Sequence, residues 1–246
     1  MRILSIGNSF SDDATRYLAW LARADGVYLE VANLVIGGAP LSLHHQHMLD
    51  KEKAYFLCYN GIPTGFYVSL EEALFNRPWD VITLQQASHE SFDATSYQPY
   101  ISELAVYIRE KVPSARLVIH ETWAYEANSE RLHQVAGYST PEEMLRDVVN
   151  AYRGAAESIQ ADGIIPSGEL FFTLLNKGVP RVHRDTFHAS LGLGRYALGL
   201  LWYRMLCGKS VSNISYEDFD EPVDSHELQI AVSCIDSLRP ICYDWQ

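Results

Sequence analysis

The hydrophobic pattern divides this sequence into short apolar runs and longer segments of helical period. Five runs have the length of buried strands, at residues 3–6, 27–35, 81–84, 115–119 and 162–165. Apolar residues at helical spacing separate them and predict helices at residues 11–22, 41–53, 69–77, 99–111, 140–161, 167–175 and 191–206. Strands that alternate with helices indicate a parallel sheet covered on both faces, in one domain over residues 1–246.

Two segments depart from this alternation. Residues 54–68 are rich in Tyr, Phe and Gly, carry a turn signal at Asn60-Gly61, and have the pattern of a small hairpin. Residues 123–139 mix aromatic and charged side chains without a period, which favours a long loop. We therefore expect a parallel sheet of five strands.

Polar or glycine-rich turns follow four of the predicted strands. They are the Gly7–Ser11 turn, the Gly37-Gly38 loop, the pair Gln85-Gln86, and the segment that begins at His120. Because ligands bind outside the carboxyl ends of parallel strands, these four segments should share one rim. The sequence therefore predicts a ligand site at this edge of the sheet.

The turn after the first strand carries the first candidate for chemistry, Ser9. A serine between a strand end and a helix start lies beside unpaired backbone N–H groups, so that one turn supplies a nucleophile and oxyanion donors. Ser11 or Asp12 is expected to cap the helix that follows. The alternative is that Ser9 and Ser11 are only turn and cap residues.

Asp185 and His188 are the second candidate for chemistry, and they lie just before the last long predicted helix. The spacing Asp-x-x-His lets a carboxylate orient an imidazole and stabilise its charged form during proton transfer. The alternative is a helix-capping aspartate followed by an incidental histidine. A serine, a glycine-rich loop and Asp-x-x-His in this order form a narrower pattern than any one of them alone.

The composition limits the possible partners. A net charge of -12 and a pI near 5.1 disfavour nucleic acid and anionic membranes and favour a neutral or weakly charged substrate. No apolar run has the length of a membrane span and the first strand begins the chain, so we expect a cytoplasmic protein. The cysteines form no CxxC pair, which favours reduced thiols at Cys58, Cys207, Cys234 and Cys242.

Three further motifs carry less weight. His44 and His47 share a helix face, but they lack neighbouring carboxylates or cysteines, so a polar helix face is favoured over a metal site. His120-Glu121 begins a zinc-protease pattern that Ala124 breaks. A glycine-rich pattern typical of nucleotide-binding turns lies inside a predicted helix, where it favours close packing, at Gly192, Gly194 and Gly199.

The order of the main motifs resembles the SGNH (GDSL-type) hydrolases, a family of lipases and esterases on a flavodoxin-like, three-layer α/β/α sandwich. The Gly7–Ser11 turn, with the sequence GNSFS, is similar to the first family block, G-D-S-[LF]-S, and implies Ser9 as the nucleophile. Gly38 matches the second block, whose glycine N–H lines the oxyanion hole. Asp185-Thr186-Phe187-His188 matches the last block and implies His188 as general base, supported by Asp185.

Two positions depart from the family pattern. The third block should read G-x-N-D, with an asparagine amide in the oxyanion hole, whereas residues 84–88 read LQQAS. The resemblance then implies that the amide of Gln85 or Gln86 makes this hydrogen bond. Asn8 stands where the family usually has an aspartate that supports the turn. The pattern is that of a poorly characterised branch of the family.

The resemblance implies a serine esterase that needs no metal and no cofactor. Small acyl groups on carbohydrates are the expected substrates, with Trp123 and His120 as substrate-binding residues. Other aromatic residues near the predicted rim are expected either to stack on sugar rings or to pack within loops: Trp79, Phe92, Tyr97 and Tyr125. The altered third block leaves open a non-catalytic carbohydrate- or acyl-binding protein on the same fold.

Overall fold

A single mixed sheet forms the centre of the computed structural model, which describes residues 1–238. Its strands are β1 (Arg2–Gly7), β2 (Glu30–Val35), β3 (Tyr55–Tyr59), β4 (Ile62–Val68), β5 (Val81–Leu84), β6 (Arg116–Glu121) and β7 (Gly163–Pro166). Their spatial order is β4-β3-β2-β1-β5-β6-β7. The strands from β2 to β7 in this order run parallel, so their carboxyl ends lie at one edge.

The prediction of five strands is wrong in its count, although the five predicted strands are the five parallel ones. The segment 54–68 forms the expected hairpin, β3 and β4, and β3 pairs antiparallel with β2. The hairpin therefore extends the sheet to seven strands. A tight turn can join antiparallel strands without a crossover, so this addition needs no further helix.

Helices cover both faces of the sheet. They are α1 (Ser9–Thr15), α2 (Leu18–Ala24), α3 (Leu41–Asp50), α4 (Leu70–Asn76), α5 (Tyr100–Lys111), α6 (Pro141–Ser158), α7 (Ser167–Asn176), α8 (Leu193–Cys207) and α9 (Ser225–Ser237). α1, α2, α7 and α9 pack against α8, whereas α3, α4 and α5 pack with one another. This is the α/β sandwich that the alternation of strands and helices predicted.

Cap residues explain where several helices begin. Asn8, and not Ser11 or Asp12, caps α1, because its side-chain oxygen accepts a hydrogen bond from Phe10 N. This correction brings the helix start forward to Ser9. The capping box at the start of α6 is confirmed, with Thr140 as the cap. α9 was not predicted.

Close helix packing is confirmed for Gly199 in α8. A Cβ atom at this position would lie 2.8 Å from Leu21 of α2, so only glycine lets the two helices approach this closely. Large side chains fill the surrounding interior, including the fully buried Trp202. The core is therefore continuous from the sheet to α8.

Membrane-spanning helices and cysteine pairing are the remaining features predicted from the sequence. None of the helices within residues 1–238 has the length and hydropathy needed to cross a membrane. Cys58, Cys207 and Cys234 are free thiols, and burial raises the pKa of Cys58 to about 12. Cys242 lies outside the described residues.

Candidate active site

The turn between β1 and α1 places Ser9 at the carboxyl edge of the sheet. Gly7 ends β1 and permits a tight contact, because a Cβ atom there would lie 2.7 Å from both Gln85 Oε1 and Ser11 Oγ. Asn8 follows in an extended conformation and caps α1. Ser9 is thus the first residue of α1, directly after the tightly packed Gly7 and the cap residue Asn8.

Ser9, His188 and Asp185 form a line of hydrogen bonds. Ser9 Oγ lies 2.9 Å from His188 Nε2, and His188 Nδ1 lies 2.8 Å from Asp185 Oδ2. An ionised carboxylate can only accept, so His188 carries its proton on Nδ1 and turns the Nε2 lone pair towards the serine hydroxyl. The arrangement lets His188 accept the hydroxyl proton while Asp185 stabilises the resulting imidazolium.

The charge of Asp185 fits this arrangement. Burial acts to raise the pKa of the carboxyl, but hydrogen bonds from the ring and the backbone N–H of His188 outweigh burial and hold the pKa below its ordinary value. The carboxylate is therefore ionised at neutral pH. It accepts from the backbone N–H of His188 through Oδ1 at 2.8 Å, which fixes the distance between the two residues.

A buried carboxylate ties the histidine loop, residues 182–189, to α1. Asp13 is only 1% exposed and accepts hydrogen bonds from Arg184 Nη1 at 2.9 Å to each oxygen. It also accepts from Arg195 Nε at 2.9 Å and from Ala189 N at 3.2 Å. We call this set of contacts the Asp13 clamp. It holds the loop that carries His188 against the helix that carries Ser9.

The Asp13 clamp was not predicted from the sequence. Asp13 lies one helical turn after Ser9, and Arg184 directly precedes Asp185. The sequence therefore shows only that an acidic and a basic residue lie next to the two candidate motifs. Nothing local in the sequence shows that these residues, 171 positions apart, meet in the fold.

A chain of buried side chains runs along the strand ends beneath Ser9. Ser167 Oγ lies 3.1 Å from His120 Nε2, and His120 Nδ1 lies 3.0 Å from Gln85 Oε1. Gln85 Nε2 donates to Asn8 Oδ1 at 2.8 Å, and Asn8 Nδ2 donates to Ala39 O at 3.1 Å. Burial lowers the pKa of His120 to about 3, so the ring is neutral. The chain connects β7, β6 and β5 to the Ser9 turn.

Both candidate oxyanion glutamines donate to protein acceptors. Gln85 is 1% exposed and holds Asn8, as described above. Gln86 is 0% exposed; its Nε2 donates to Ser96, and its Oε1 accepts from Leu41 N at 2.8 Å. These contacts assign the two side chains to fixing loops, and they do not support the prediction that either amide faces a substrate.

Backbone N–H groups remain for an oxyanion hole. Within residues 1–238, the N–H groups of Ser9 and Gly38 have no backbone acceptor. Gly38 is exposed and has a φ of 67°, a left-handed conformation that favours glycine. The Asn8–Ala39 hydrogen bond lies next to both residues in sequence, so it brings the Gly37-Gly38 loop to the Ser9 turn.

Trp123 and His120, the predicted substrate-binding residues, lie behind the site. Both are 0% exposed. The Trp123 ring stacks on Phe10 at 4.2 Å between centroids, and its Nε1 donates to Phe187 O at 2.7 Å. Trp123 therefore braces the residues next to Ser9 and His188, and neither predicted substrate-binding side chain is exposed in this structure.

Packing also accounts for most of the other aromatic candidates. Trp79, Tyr97 and Tyr125 are at most 3% exposed, whereas Phe92 is partly buried. A partly buried ring beside His188 is Phe187, and the two ring centroids lie 4.0 Å apart.

The histidines of α3 have structural contacts. His44 is buried, and its Nδ1 lies 3.2 Å from Tyr55 OH. Burial, together with the neighbouring His47, lowers the pKa of His44 to about 3, so this ring is neutral. In the described part of the chain, no group of three or more His, Cys, Asp or Glu side chains could hold a metal ion.

Comparisons with known proteins identify relatives of this fold. The profile of a domain of unknown function, DUF4886, matches residues 2–236. A DUF4886 family protein of known structure from Bacteroides uniformis is 30% identical over 96% of this chain and 93% of its own, with a TM-score of 0.88. None of the curated proteins matches the sequence.

More distant structures share the fold. A candidate SGNH hydrolase from Slackia heliotrinireducens is 24% identical over 84% of this chain and 98% of its own, with a TM-score of 0.62. An acetylxylan esterase from Geobacillus stearothermophilus is 15% identical over 88% of this chain and 94% of its own, with a TM-score of 0.52. The chain therefore has the α/β fold of the SGNH hydrolases.

Proposed function

We propose that this chain, which belongs to the DUF4886 family, is a serine hydrolase that cleaves carboxylic esters. The observation that carries the proposal is the hydrogen-bonded line from Ser9 through His188 to Asp185. The SGNH hydrolase fold supports it, because the line lies at the carboxyl edge of the sheet where this fold class binds ligands.

The proposed reaction begins with proton transfer from Ser9 to His188. The serine oxygen attacks the ester carbonyl as His188 Nε2 takes its proton, and the N–H groups of Ser9 and Gly38 stabilise the oxyanion. His188 then donates the proton to the leaving alcohol, and an acyl-enzyme remains. A water molecule, deprotonated by the same histidine, hydrolyses the acyl-enzyme and restores Ser9.

Short acyl esters of carbohydrates are the proposed substrates. The acetylxylan esterase among the structural neighbours acts on esters of this class, and its fold matches that of this chain. The acidic surface, with a net charge of -12, fits a neutral substrate better than an anionic one. A screen of acetylated sugars with different degrees of polymerisation tests which alcohol portion of the ester the protein accepts.

Hydrolysis of p-nitrophenyl acetate and butyrate tests the reaction. We expect Ser9→Ala and His188→Ala each to lower kcat by about 10³-fold or more, because the two residues act as a unit. His226→Ala, at an exposed histidine of α9, is the control and should keep full activity. Unchanged hydrolysis in Ser9→Ala would refute the proposal.

Covalent labelling separates a wrong substrate from a missing activity. A fluorophosphonate probe should modify Ser9 in the parent chain and fail to modify His188→Ala, because the probe needs an activated serine but no specific alcohol. The alternative left open by the sequence, a non-catalytic carbohydrate- or acyl-binding protein, predicts no labelling together with measurable binding of acetylated sugars.

A further inference from the structure

A cavity lies beside the histidine loop. It has a volume of about 270 Å³ and is lined by residues 124–127, the start of α6, one side of α7, Pro180 and His183. Its walls are largely apolar, with Leu145, Phe171 and Phe172 among them. None of Ser9, Asp185 and His188 lines it. Its size is just below the ~300–1,000 Å³ range of ligand pockets, so it suits only a small ligand.

Two acceptor atoms, one from His183 and one from Glu126, face each other in the cavity. His183 is 3% exposed, and its Nε2 lies 3.2 Å from Ala124 O. Since a carbonyl oxygen only accepts, the proton of the neutral ring is on Nε2 and Nδ1 is a lone pair. Nδ1 lies 3.3 Å from Glu126 Oε1, yet it has no hydrogen-bond partner within residues 1–238.

With His183 neutral, no residue that lines the cavity carries a positive charge next to the Glu126 carboxylate. Burial lowers the pKa of His183 to about 4, so the ring is neutral at pH 7 and does not neutralise Glu126. Burial raises the pKa of Glu126, although Arg181, which does not line the cavity, acts to lower it. Glu142 adds a second acidic side chain to the lining.

Helix amides near the cavity are already engaged. The N–H groups of Gly168 and Glu169, at the start of α7, donate to Glu121 Oε1 at 3.1 and 3.3 Å. Thr140 and Glu143 close the capping box at the start of α6. The polar side chains of the lining then include His183, the amide of Asn176, and the carboxylates of Glu126 and Glu142. The acidic groups outnumber any cation in this lining, so the cavity complements a cationic donor.

We propose that this cavity binds a small primary amine in its ammonium form, with a compact apolar body. The ammonium group donates to His183 Nδ1 and Glu126 Oε1 at once, and Phe171 and Phe172 pack against the apolar body. An ammonium carries three donors, so it satisfies both acceptors from one atom. The unpaired Nδ1 and the carboxylate beside it thereby gain partners that the protein itself does not supply.

A backbone hydrogen bond connects Glu126, in the cavity wall, to the histidine loop. Glu126 N donates to Thr186 O at 2.9 Å, and Thr186 Oγ1 lies 3.0 Å from Ser129 Oγ. Thr186 has a φ of 73°, an unusual conformation for a β-branched residue, and these contacts hold it. A ligand on Glu126 therefore contacts the segment that fixes the loop between Asp185 and His188.

Calorimetric titration with benzylamine tests the site without reference to turnover. We expect benzylamine to bind with a Kd of about 1 mM or tighter, and benzyl alcohol, of nearly the same shape, to bind about tenfold more weakly because it lacks the charge. Glu126→Gln should weaken benzylamine binding at least about tenfold. Glu130→Gln, which removes an exposed carboxylate outside the cavity, should leave it unchanged.

A cavity-filling variant guards against misfolding of Glu126→Gln. Leu175 lines the cavity but is 40% exposed, so Leu175→Trp should block the cavity, keep the thermal stability and abolish benzylamine binding. Absence of binding up to ~10 mM, equal binding of benzyl alcohol, or full binding by Leu175→Trp would each overturn the proposal. The readout is binding alone, so its failure is independent of the esterase assays.

Discussion

Replacing Asp13 with asparagine tests whether the Asp13 clamp aligns Ser9 with His188 for the proposed reaction. The change keeps the shape of the side chain but removes its charge and one acceptor oxygen. Arg184 then loses one of its two 2.9 Å hydrogen bonds. The new NH₂ group points at N–H donors whose hydrogen bonds the lost oxygen had accepted. Ser9 is on the helix that keeps this residue, whereas His188 is on the loop that is released.

The expected loss of stability follows from burial. Removing one partner of a fully buried ion pair costs about 3–5 kcal/mol. The Arg184 and Arg195 side chains are 27% and 14% exposed, and Arg195 keeps Asp220 at 2.6 Å, so both remain partly solvated or paired. We therefore expect Asp13→Asn to lower the free energy of unfolding by ~2–3 kcal/mol.

The expected loss of activity follows from alignment. A displacement of about 1 Å between reacting groups costs on the order of 10²-fold in rate. We expect kcat for p-nitrophenyl acetate to fall by ~10–100-fold, with little change in KM, because Asp13 is buried and does not touch the substrate. Urea unfolding and steady-state kinetics measure the two quantities on the same preparations.

Asp220→Asn is the matched control. Asp220 also binds Arg195, and it binds Arg16 at 2.7 and 2.9 Å, but its side chain makes no hydrogen bond or ion pair with the histidine loop. Its side chain is 25% exposed, so the variant should lose only ~0.5–1 kcal/mol and keep its kcat within about twofold. If Asp13→Asn loses stability but keeps the parent kcat, the clamp is structural and its alignment role is refuted.

Three other substitutions test the surroundings of the site. Gln85→Leu removes the link between His120 and Asn8; it should cost ~1–3 kcal/mol in unfolding free energy and lower kcat, and unchanged kinetics would show that the link does not position the Ser9 turn. Glu121→Gln should change the pH dependence of stability. Burial, with Glu169 nearby, raises the pKa of Glu121 from 4.5 to about 8. Between these two pH values the folded chain keeps the Glu121 proton that the unfolded chain has already released. Parent stability should fall over this range more steeply than that of the variant, whose amide oxygen keeps the N–H contacts; equal slopes in urea unfolding at pH 5 and 8 would contradict this. Gly7→Ala should cost ~1–3 kcal/mol, because its Cβ would lie 2.7 Å from Gln85 Oε1, whereas Gly154→Ala, with open space around it, should not destabilise the chain in the same thermal unfolding assay.

Local signals explain which parts of the fold could be predicted. Short apolar runs identify the five parallel strands, and Thr140 and Glu143 mark the start of α6, because each feature depends on residues close in sequence. The attachment of the β3–β4 hairpin could not be predicted. It depends on pairing between β3 and β2, and the hairpin pattern does not specify which strand it joins.

The same distinction applies to the candidate site. The motifs around Ser9 and around Asp185 and His188 are each contained in a few residues, so the sequence presents them directly. Their separation of 179 positions is closed only by the fold. Trp123 lay on the predicted rim, but its depth depends on the packing of Phe10 above it, and a strand-exit pattern carries no information on depth.

The orientation of Gln85 is set by backbone groups at one end of the buried chain. Ala39 O must accept, so Asn8 points its Nδ2 there and leaves Oδ1 for Phe10 N and for Gln85 Nε2.

Gln85 Oε1 then faces His120, which must carry its proton on Nδ1 and accept from Ser167 through Nε2. Turning the Gln85 amide towards a substrate would break its hydrogen bonds with Asn8 and His120 and leave these buried groups unpaired, at a cost of about 1–3 kcal/mol for each. The glutamine in place of the expected asparagine therefore supports the Ser9 turn from behind, and the proposed oxyanion hole depends on the backbone of Ser9 and Gly38.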